Sequence, residues 1–379
     1  MPNYPDSAEG IETLPPLYAG WLEEALPGTI PRETQATCAN CAMCAPPGTP
    51  PSARGLYYRP DVKCCSYVPT VPNFLLGGVL RDCETAAQAG VRAIRGWIGR
   101  RVGVTPLGIG PSPAYQALYD RAAGAFGRSK ALLCPLYVPE LNQCSIWRHR
   151  NAVCATFFCK LVRGNVASRF WKSLQRTLEL TEQGLSKWCL LELGLHAAPL
   201  DALIGAGTWN GTPGALTGEA LDQIVPEREY ARAWGVWRGR EAEFYVQCAT
   251  RVASLSWAEI LAICGQDLRA AWLIAQDHYH QLRDESLPTR LAPAAAAGAE
   301  FLPGAVRLRT YSPLDPVDVP YELIGALRYF DGREIPAVLD EIKRSLGIEL
   351  EMPLVRKMAD FELLSPSEPA PSLDVAQPT

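Results

Sequence analysis

The sequence predicts a mainly α fold: a helical cysteine-cluster domain followed by a small C-terminal α+β module of winged-helix-like pattern. Three observations carry this. Apolar residues recur at helical spacing through much of residues 74–283, where little alternates like a strand. A Pro/Ala-rich break at residues 287–304 is followed by one strand pattern and a pair of short helical patterns. Most of the 13 cysteines gather in two tight groups, at spacings that suit ligands better than core residues.

The elements follow in order. Residues 11–25 read as a short helix interrupted by Pro15 and Pro16. Residues 45–60 are rich in proline and glycine and read as a loop. Residues 74–98 read as one helix, and residues 112–126 as another with Pro113 in its first turn. The second cysteine group lies in an irregular segment that enters a helix near His149. Residues 165–195 set Phe170, Trp171, Leu174, Leu178, Leu185, Trp188 and Leu191 on one helical stripe. Residues 201–218 are glycine-rich and loop-like, and residues 227–253 and 257–283 read as two more helices.

Beyond the break, residues 306–311 alternate like a strand. Residues 319–330 and 336–346 read as helices joined at Asp331-Gly332, with 353–364 after them. The predicted plan is a metal-binding domain over 1–286, a linker over 287–304, a module over 305–364 and a disordered tail over 365–379.

With 379 residues and a net charge of −4, the chain can bury a sizeable core and shows no basic footprint for nucleic acid or an anionic membrane. Its start, Met-Pro-Asn-Tyr-Pro-Asp, lacks the basic and apolar regions of a signal peptide, and no apolar run reaches the length of a membrane span. The expected location is cytoplasmic. In a reducing compartment, clustered thiols read as metal ligands or redox groups rather than disulfides.

The first group is Cys38-Ala-Asn-Cys41-Ala-Met-Cys44, with the adjacent pair Cys64-Cys65 downstream. The second is Cys134, Cys144, Cys154 and Cys159. The Cys-x-x-Cys-x-x-Cys run lets one loop wrap a compact cluster, as in bacterial ferredoxins. A plain zinc ribbon would show two regular Cys-x-x-Cys knuckles, which the second group lacks. Adjacent thiolates rarely chelate one tetrahedral ion, so Cys64 and Cys65 either serve different metals or one of them stands behind the ligands. The predicted cofactor is an iron–sulfur cluster of 4Fe–4S type, with zinc as the alternative. Cys83, Cys189, Cys248 and Cys264 stand apart on predicted helices and read as core.

The stretch Cys134-Pro-Leu-Tyr, Cys144-Ser-Ile-Trp-Arg-His-Arg150 and Cys154-Ala-Thr-Phe-Phe-Cys159 resembles the YkgJ family of cysteine-cluster proteins. That family shows a Cys-Pro start, a Cys-x-Ile-Tyr segment, an Arg and a terminal pair of cysteines, and it carries a Cys-Cys pair in its N-terminal group. The resemblance covers roughly residues 37–160. It implies zinc or iron chelation, and for some members a link to flagellin lysine methylation. Asn151 stands where the family has proline, Ala155 where it has arginine, and a long insertion separates Cys44 from Cys64.

Other candidates are weaker. With 4 histidines, imidazole chemistry has few options; His149 lies between cysteines and reads as a ligand, a proton carrier or a surface residue between Arg148 and Arg150. Arg148, Arg150 and Arg163 are candidate counter-charges for a thiolate cluster. Leu203-Ile-Gly205-Ala-Gly207-Thr-Trp-Asn-Gly211 only faintly resembles a nucleotide or S-adenosylmethionine loop. The sequence-level function is an iron–sulfur or zinc cysteine-cluster protein, for electron transfer or support of a modification reaction. Its partner is expected to be a protein rather than nucleic acid or membrane. The rivals are an S-adenosylmethionine-dependent protein-lysine methyltransferase and a zinc-stabilised interaction module.

Overall fold

The computed structural model describes residues 14–36, 38, 41–49, 57–84, 87–122, 124–195, 222 and 225–367. About 51% of the chain is helical and 11% lies in small sheets. It divides into two compact units that interleave along the sequence. The first comprises Met1–Arg32, Thr37–Phe157 and Ser173–Ala275; the second comprises Glu33–Ala36, Phe158–Lys172 and Gln276–Thr379. Both boundaries nearest the middle of the chain fall inside long helices.

In the first unit, α1 (Pro16–Ala25) begins at a proline, which needs no N–H partner in a first turn, and buries Tyr18, Trp21 and Leu22. The single helix expected over 74–98 is two. Helix α2 (Asn73–Arg81) ends at Asp82, and α3 (Gln88–Arg100) follows. Asp82 accounts for the break, because its carboxylate accepts the Glu84 N–H at 2.9 Å and lies 3.0 Å from His149 Nε2. Helix α4 (Pro113–Arg121) is capped by Ser112, whose hydroxyl accepts the Tyr115 N–H at 3.2 Å.

The short strands β1 (Val71–Pro72), β2 (Val104–Thr105) and β3 (Gly108–Ile109) form an antiparallel sheet in the order β1-β3-β2. Strands of two residues leave no alternation to read. After α5 (Ala152–Thr156) comes the long α6 (Gly164–Glu192). Its predicted stripe holds as far as Leu185, but Leu191 is exposed while Cys189 and Leu190 are buried in its place.

The helix expected over 227–253 is also two, α7 (Glu227–Trp234) and α8 (Glu241–Val252). Gly235 (φ 49°) and Gly239 (φ 81°) take the chain through the left-handed region between them. Helix α9 (Trp257–Arg283) is likewise broken at Gly265 (φ 80°). Helix α8 packs backbone to backbone against α2. A Cβ on Gly77 would stand 1.8 Å from the Tyr245 carbonyl oxygen and 2.7 Å from the Ala249 Cβ.

The second unit is α+β. Strands β6 (Leu291–Pro293), β7 (Gly298–Leu302), β8 (Ala305–Arg309) and β9 (Val317–Pro320) precede α10 (Tyr321–Leu327), α11 (Ile335–Leu346) and α12 (Met352–Asp360), and β10 (Leu364–Pro366) closes the series. One antiparallel sheet has the order β7-β8-β9, and β6 pairs with β10. The stretch expected to be a linker therefore carries two strands. Its Pro/Ala content hides Leu291, which is fully buried in the core with Phe330, Ile335, Val338, Ile342 and Val355. Arg163 fastens this unit's middle segment, with two bonds of 2.8 Å to the Asp360 carboxylate and one of 2.6 Å to the Leu282 carbonyl. Most of the predicted disordered tail, residues 368–379, lies outside the described residues.

Gly77→Ala is expected to cost about 1–3 kcal/mol through overpacking of α2 on α8. Gly20→Ala at an exposed position of α1, where a Cβ meets nothing within 4 Å, is expected to gain roughly 0.5–1 kcal/mol. Thermal unfolding of the two variants checks the contrast.

Candidate metal centre

The first cysteine group is shaped by turns. The Cys44 N–H donates to the Cys41 carbonyl at 3.0 Å, and the Cys44 thiol donates to the Cys41 sulfur. Tyr58 N–H donates to the Met43 carbonyl at 2.8 Å, and Cys44 forms a parallel bridge with Tyr58, which carries the chain back toward Cys64. Lys63 sits in the left-handed region (φ 53°), which no glycine relieves here. Its ammonium donates to the Cys38 carbonyl, so the residue before Cys64 is tied to the first cysteine of the run.

The second group is shaped by a hairpin. Strands β4 (Tyr137–Val138) and β5 (Gln143–Cys144) pair antiparallel, Tyr137 opposite Cys144. Asn142 (φ 53°) makes the turn, and its side chain accepts the Tyr137 hydroxyl at 2.7 Å. The hairpin brings Cys134 and Cys144 to one end. The Leu136 and Tyr137 amides donate to the Cys134 sulfur, and the Ile146 amide donates to the Cys144 sulfur. Cys154 enters on α5, whose cap, Asn151, accepts the Cys154 N–H at 3.2 Å.

The two groups meet. The Cys134 N–H donates to the Cys65 carbonyl at 2.7 Å. Tyr115 braces the junction: its hydroxyl lies 2.9 Å from the Ser66 carbonyl and 3.1 Å from the Leu132 carbonyl, and it accepts the Val68 N–H at 3.1 Å. The thiols interact across the junction. The Cys65 thiol donates to the Cys64 sulfur, which pulls Cys64 below and pushes Cys65 above the ordinary thiol range. Burial pushes Cys134 up to about 12, and it raises Cys144 and Cys154 as well; charge on Cys134 and Cys144 raises Cys154 further. Burial pushes Cys44 up to about 12, with charge on Cys41 adding to it. Cys38 is exposed as a residue, yet dehydration of its thiol followed by charge on Cys64 raises it.

A buried cation stands among these sulfurs. Arg150 is 9% exposed. Its guanidinium lies 3.5 Å from the centre of the Trp147 ring and donates to the Trp147 carbonyl at 3.1 Å and the Cys154 carbonyl at 3.2 Å. Burial draws its pKa down, and charge on Cys144, Cys154, Cys38 and Cys64 opposes that shift. Of the three candidate arginines this is the one at the thiols. Arg148 pairs with Glu84 at the surface, and Arg163 is held by Asp360 in the second unit.

The other predicted residues divide. Cys159 belongs to the second unit, where it is half-buried. Cys189 and Cys248 are buried as expected and Cys264 is half-buried, but Cys83 is exposed because the chain has already left α2 there. His149 is no free surface residue; its ring pairs with Asp82, and a shallow cleft is lined by Asp82, Glu84, Cys144, Trp147, Arg148 and His149. The glycine loop at 203–211 lies outside the described residues. Among the described residues, no three or more Cys, His, Asp or Glu side chains already surround one point as a metal-holding group, and no helix is long and apolar enough to cross a membrane.

One contributor carried no sequence signal. Glu182 is buried, accepts the Tyr18 hydroxyl, and accepts the Ala152 N–H at 2.6 Å, so it fixes the start of α5 two residues before Cys154. No protein-family model, curated protein or solved structure matches the chain.

Burial pushes the Glu182 carboxyl up to about 8 from an ordinary 4.5. The folded state therefore holds this proton over a range where the unfolded state has lost it. The stability it contributes is complete below pH 4.5 and is lost as pH rises to about 8. Urea unfolding between pH 5 and 8 is expected to show that loss in the natural protein, and Glu182→Gln is expected to flatten it.

Proposed function

We propose that the chain is a cysteine-ligated metal protein of iron–sulfur type, serving electron transfer or supporting a modification reaction. The observation that carries this is the meeting of two sulfur groups, distant in sequence, at the Cys65–Cys134 hydrogen bond around the buried Arg150. Thiols packed this way gain little as core residues, and burial makes each hard to ionise alone. A soft cation reverses that balance, because ligation deprotonates the thiol outright. Amides already aimed at Cys134 and Cys144 suit sulfurs that carry negative charge.

Cys38, Cys41, Cys44, Cys64, Cys65, Cys134, Cys144 and Cys154 would hold the metal, after side-chain rotation from hydrogen-bonded pairs to a common centre. Cys159, grouped with these cysteines by its spacing and by the YkgJ resemblance, remains a candidate ligand in this proposal. An iron–sulfur cluster would supply one-electron chemistry. The residues of this chain would exclude water through Trp147 and Ile146 and offset charge through Arg150. The second unit belongs to the same reading as a winged-helix-like module for a protein partner. Its helix pair about Asp331-Gly332 and its antiparallel sheet support that description.

Protein purified without oxygen is expected to carry iron and acid-labile sulfide and to absorb visible light. Stoichiometric zinc without sulfide would replace the iron–sulfur reading with the zinc one. Cys154→Ala is expected to lose metal and stability together, and Cys83→Ala neither, because ligand loss removes binding energy coupled to folding. Metal analysis beside thermal unfolding compares the two.

A further inference from the structure

Strand β7 (Gly298–Leu302) ends the three-stranded sheet of the second unit, and both of its faces are left incomplete there. We infer that β7 is a docking edge, and that its occupant is an extended segment of another protein that alternates apolar and basic residues and joins the sheet as a further antiparallel strand. This rests on reading the second unit as a module for a protein partner, and it adds the surface and the chemistry of what that surface takes.

The register sorts the three strands into two faces. Phe301, Val306 and Val319 stand opposite one another in one row, and Ala299, Leu308 and Val317 in another, so all six share a face. Burial fails along the first row: Val319 is 3% exposed, Val306 5% and Phe301 78%. In the other row Val317 and Leu308 are half-buried against the core and Ala299 is exposed. A single exposed apolar side chain is ordinary on a surface. Phe301 is different because it ends a row of buried residues, on a strand with no second strand partner among the described residues. Every second residue of such an edge turns its N–H and C=O away from the sheet, where another strand can take them. The opposite edge is blunted, since β9 is shorter and ends in Pro320, whereas β7 contains no proline.

The other face identifies the occupant. Its central row runs Asp318, Arg307, Glu300 across β9, β8 and β7. The Arg307 guanidinium is turned to Asp318, with bonds of 2.7 and 2.8 Å. The row alternates in sign and stops at the exposed Glu300, so the next strand continues it with a lysine or arginine. A second copy of β7 does not meet that demand. The antiparallel register that pairs the whole strand with itself is centred on Glu300 and sets two carboxylates opposite each other, where like charges destabilise. Glu300 therefore works against self-pairing and in favour of a basic partner. A strand with a basic residue opposite Glu300 and apolar residues opposite Ala299 and Phe301 completes both faces at once. Main-chain bonds supply its affinity and the alternating side chains its register.

Titration of the full-length protein with two fluorescent peptides, one centred on Val-Lys-Val and one on Val-Glu-Val, tests this by anisotropy. The lysine peptide is expected to bind the natural protein more tightly than the glutamate peptide, by about threefold or more. It is also expected to slow amide hydrogen exchange at residues 299–301. Glu300→Lys is expected to reverse the order of the two peptides, and Phe301→Ser to weaken the lysine peptide by about threefold or more. Both positions are exposed, and circular dichroism checks that the variants stay folded. No binding of the lysine peptide, or binding that neither substitution alters, would overturn the inference. So would a dimer of the natural protein with protection at 299–301, which would make a second copy the occupant. The module reading outlives these results if a partner captured on the natural protein is lost on substitutions elsewhere in the second unit. A partner indifferent to every substitution in that unit would overturn the module reading and the inference with it.

Discussion

A buried guanidinium sets the terms for everything around it. Arg150 cannot shed its proton, so its burial must be balanced by a ring, by carbonyls and by negative charge. The ring is Trp147, and the carbonyls belong to Trp147 and Cys154. Charge on Cys144, Cys154, Cys38 or Cys64 would favour the guanidinium further, so each is a better partner as a thiolate than as a thiol. Conversely, several buried sulfurs cannot ionise together without a fixed cation nearby. On the proposed reading Arg150 and the cysteines depend on one another, and the turns at Lys63 and Asn142 and the cap Asn151 help to deliver them.

That the cysteines fall into two groups is legible from their spacing, and the Cys65–Cys134 hydrogen bond shows the two groups meeting. Their supports are not legible there. Three arginines near the second group look alike as letters, and only packing separates the one under a tryptophan from the two held by Glu84 and Asp360. Lys63 reads as an ordinary cation until its left-handed backbone and its bond to the Cys38 carbonyl are seen. Glu182 stands on a helix far from either group, at a position where a carboxylate usually faces water. Its role depends on Tyr18 and Ala152 arriving from two other parts of the chain. Signals of this kind are made by tertiary contact, and no local pattern carries them.

Helices were legible as elements and less so as lengths. Apolar spacing marked 74–98, 227–253 and 257–283 correctly as helical, but each is interrupted. Glycines at 235, 239 and 265 adopt positive φ, which a glycine in a helix permits without requiring. The break after Arg81 has a different cause, since Asp82 prefers to accept the Glu84 amide and meet His149 rather than continue the helix. Strands fared worst. Paired segments of two or three residues owe their form to their neighbours, and a Pro/Ala-rich stretch disguised the fully buried Leu291.

The part of the first unit that holds the sulfurs has little regular structure of its own. Single contacts maintain it: Arg59 N–H to the Gly127 carbonyl at 2.8 Å, Gly127 N–H to the Ser66 hydroxyl at 2.6 Å, and the Tyr115 hydroxyl at the Cys65–Cys134 junction. Gly127, at φ 73°, lets the Tyr58 ring lie where a Cβ would stand 2.4 Å from it. Such contacts choose a conformation without storing much energy, since each isolated hydrogen bond contributes only about 1 kcal/mol net. Closing the long loops between the cysteines costs entropy, although that cost grows slowly with loop length. A sulfur-ligated metal supplies folding energy where helices and core do not, because the ligands come together only in the folded chain. On the proposed reading, then, the irregular backbone and the crowded thiols answer one another: the loops are free to bring sulfurs from distant parts of the sequence because ligation, rather than a ladder of hydrogen bonds, holds them there.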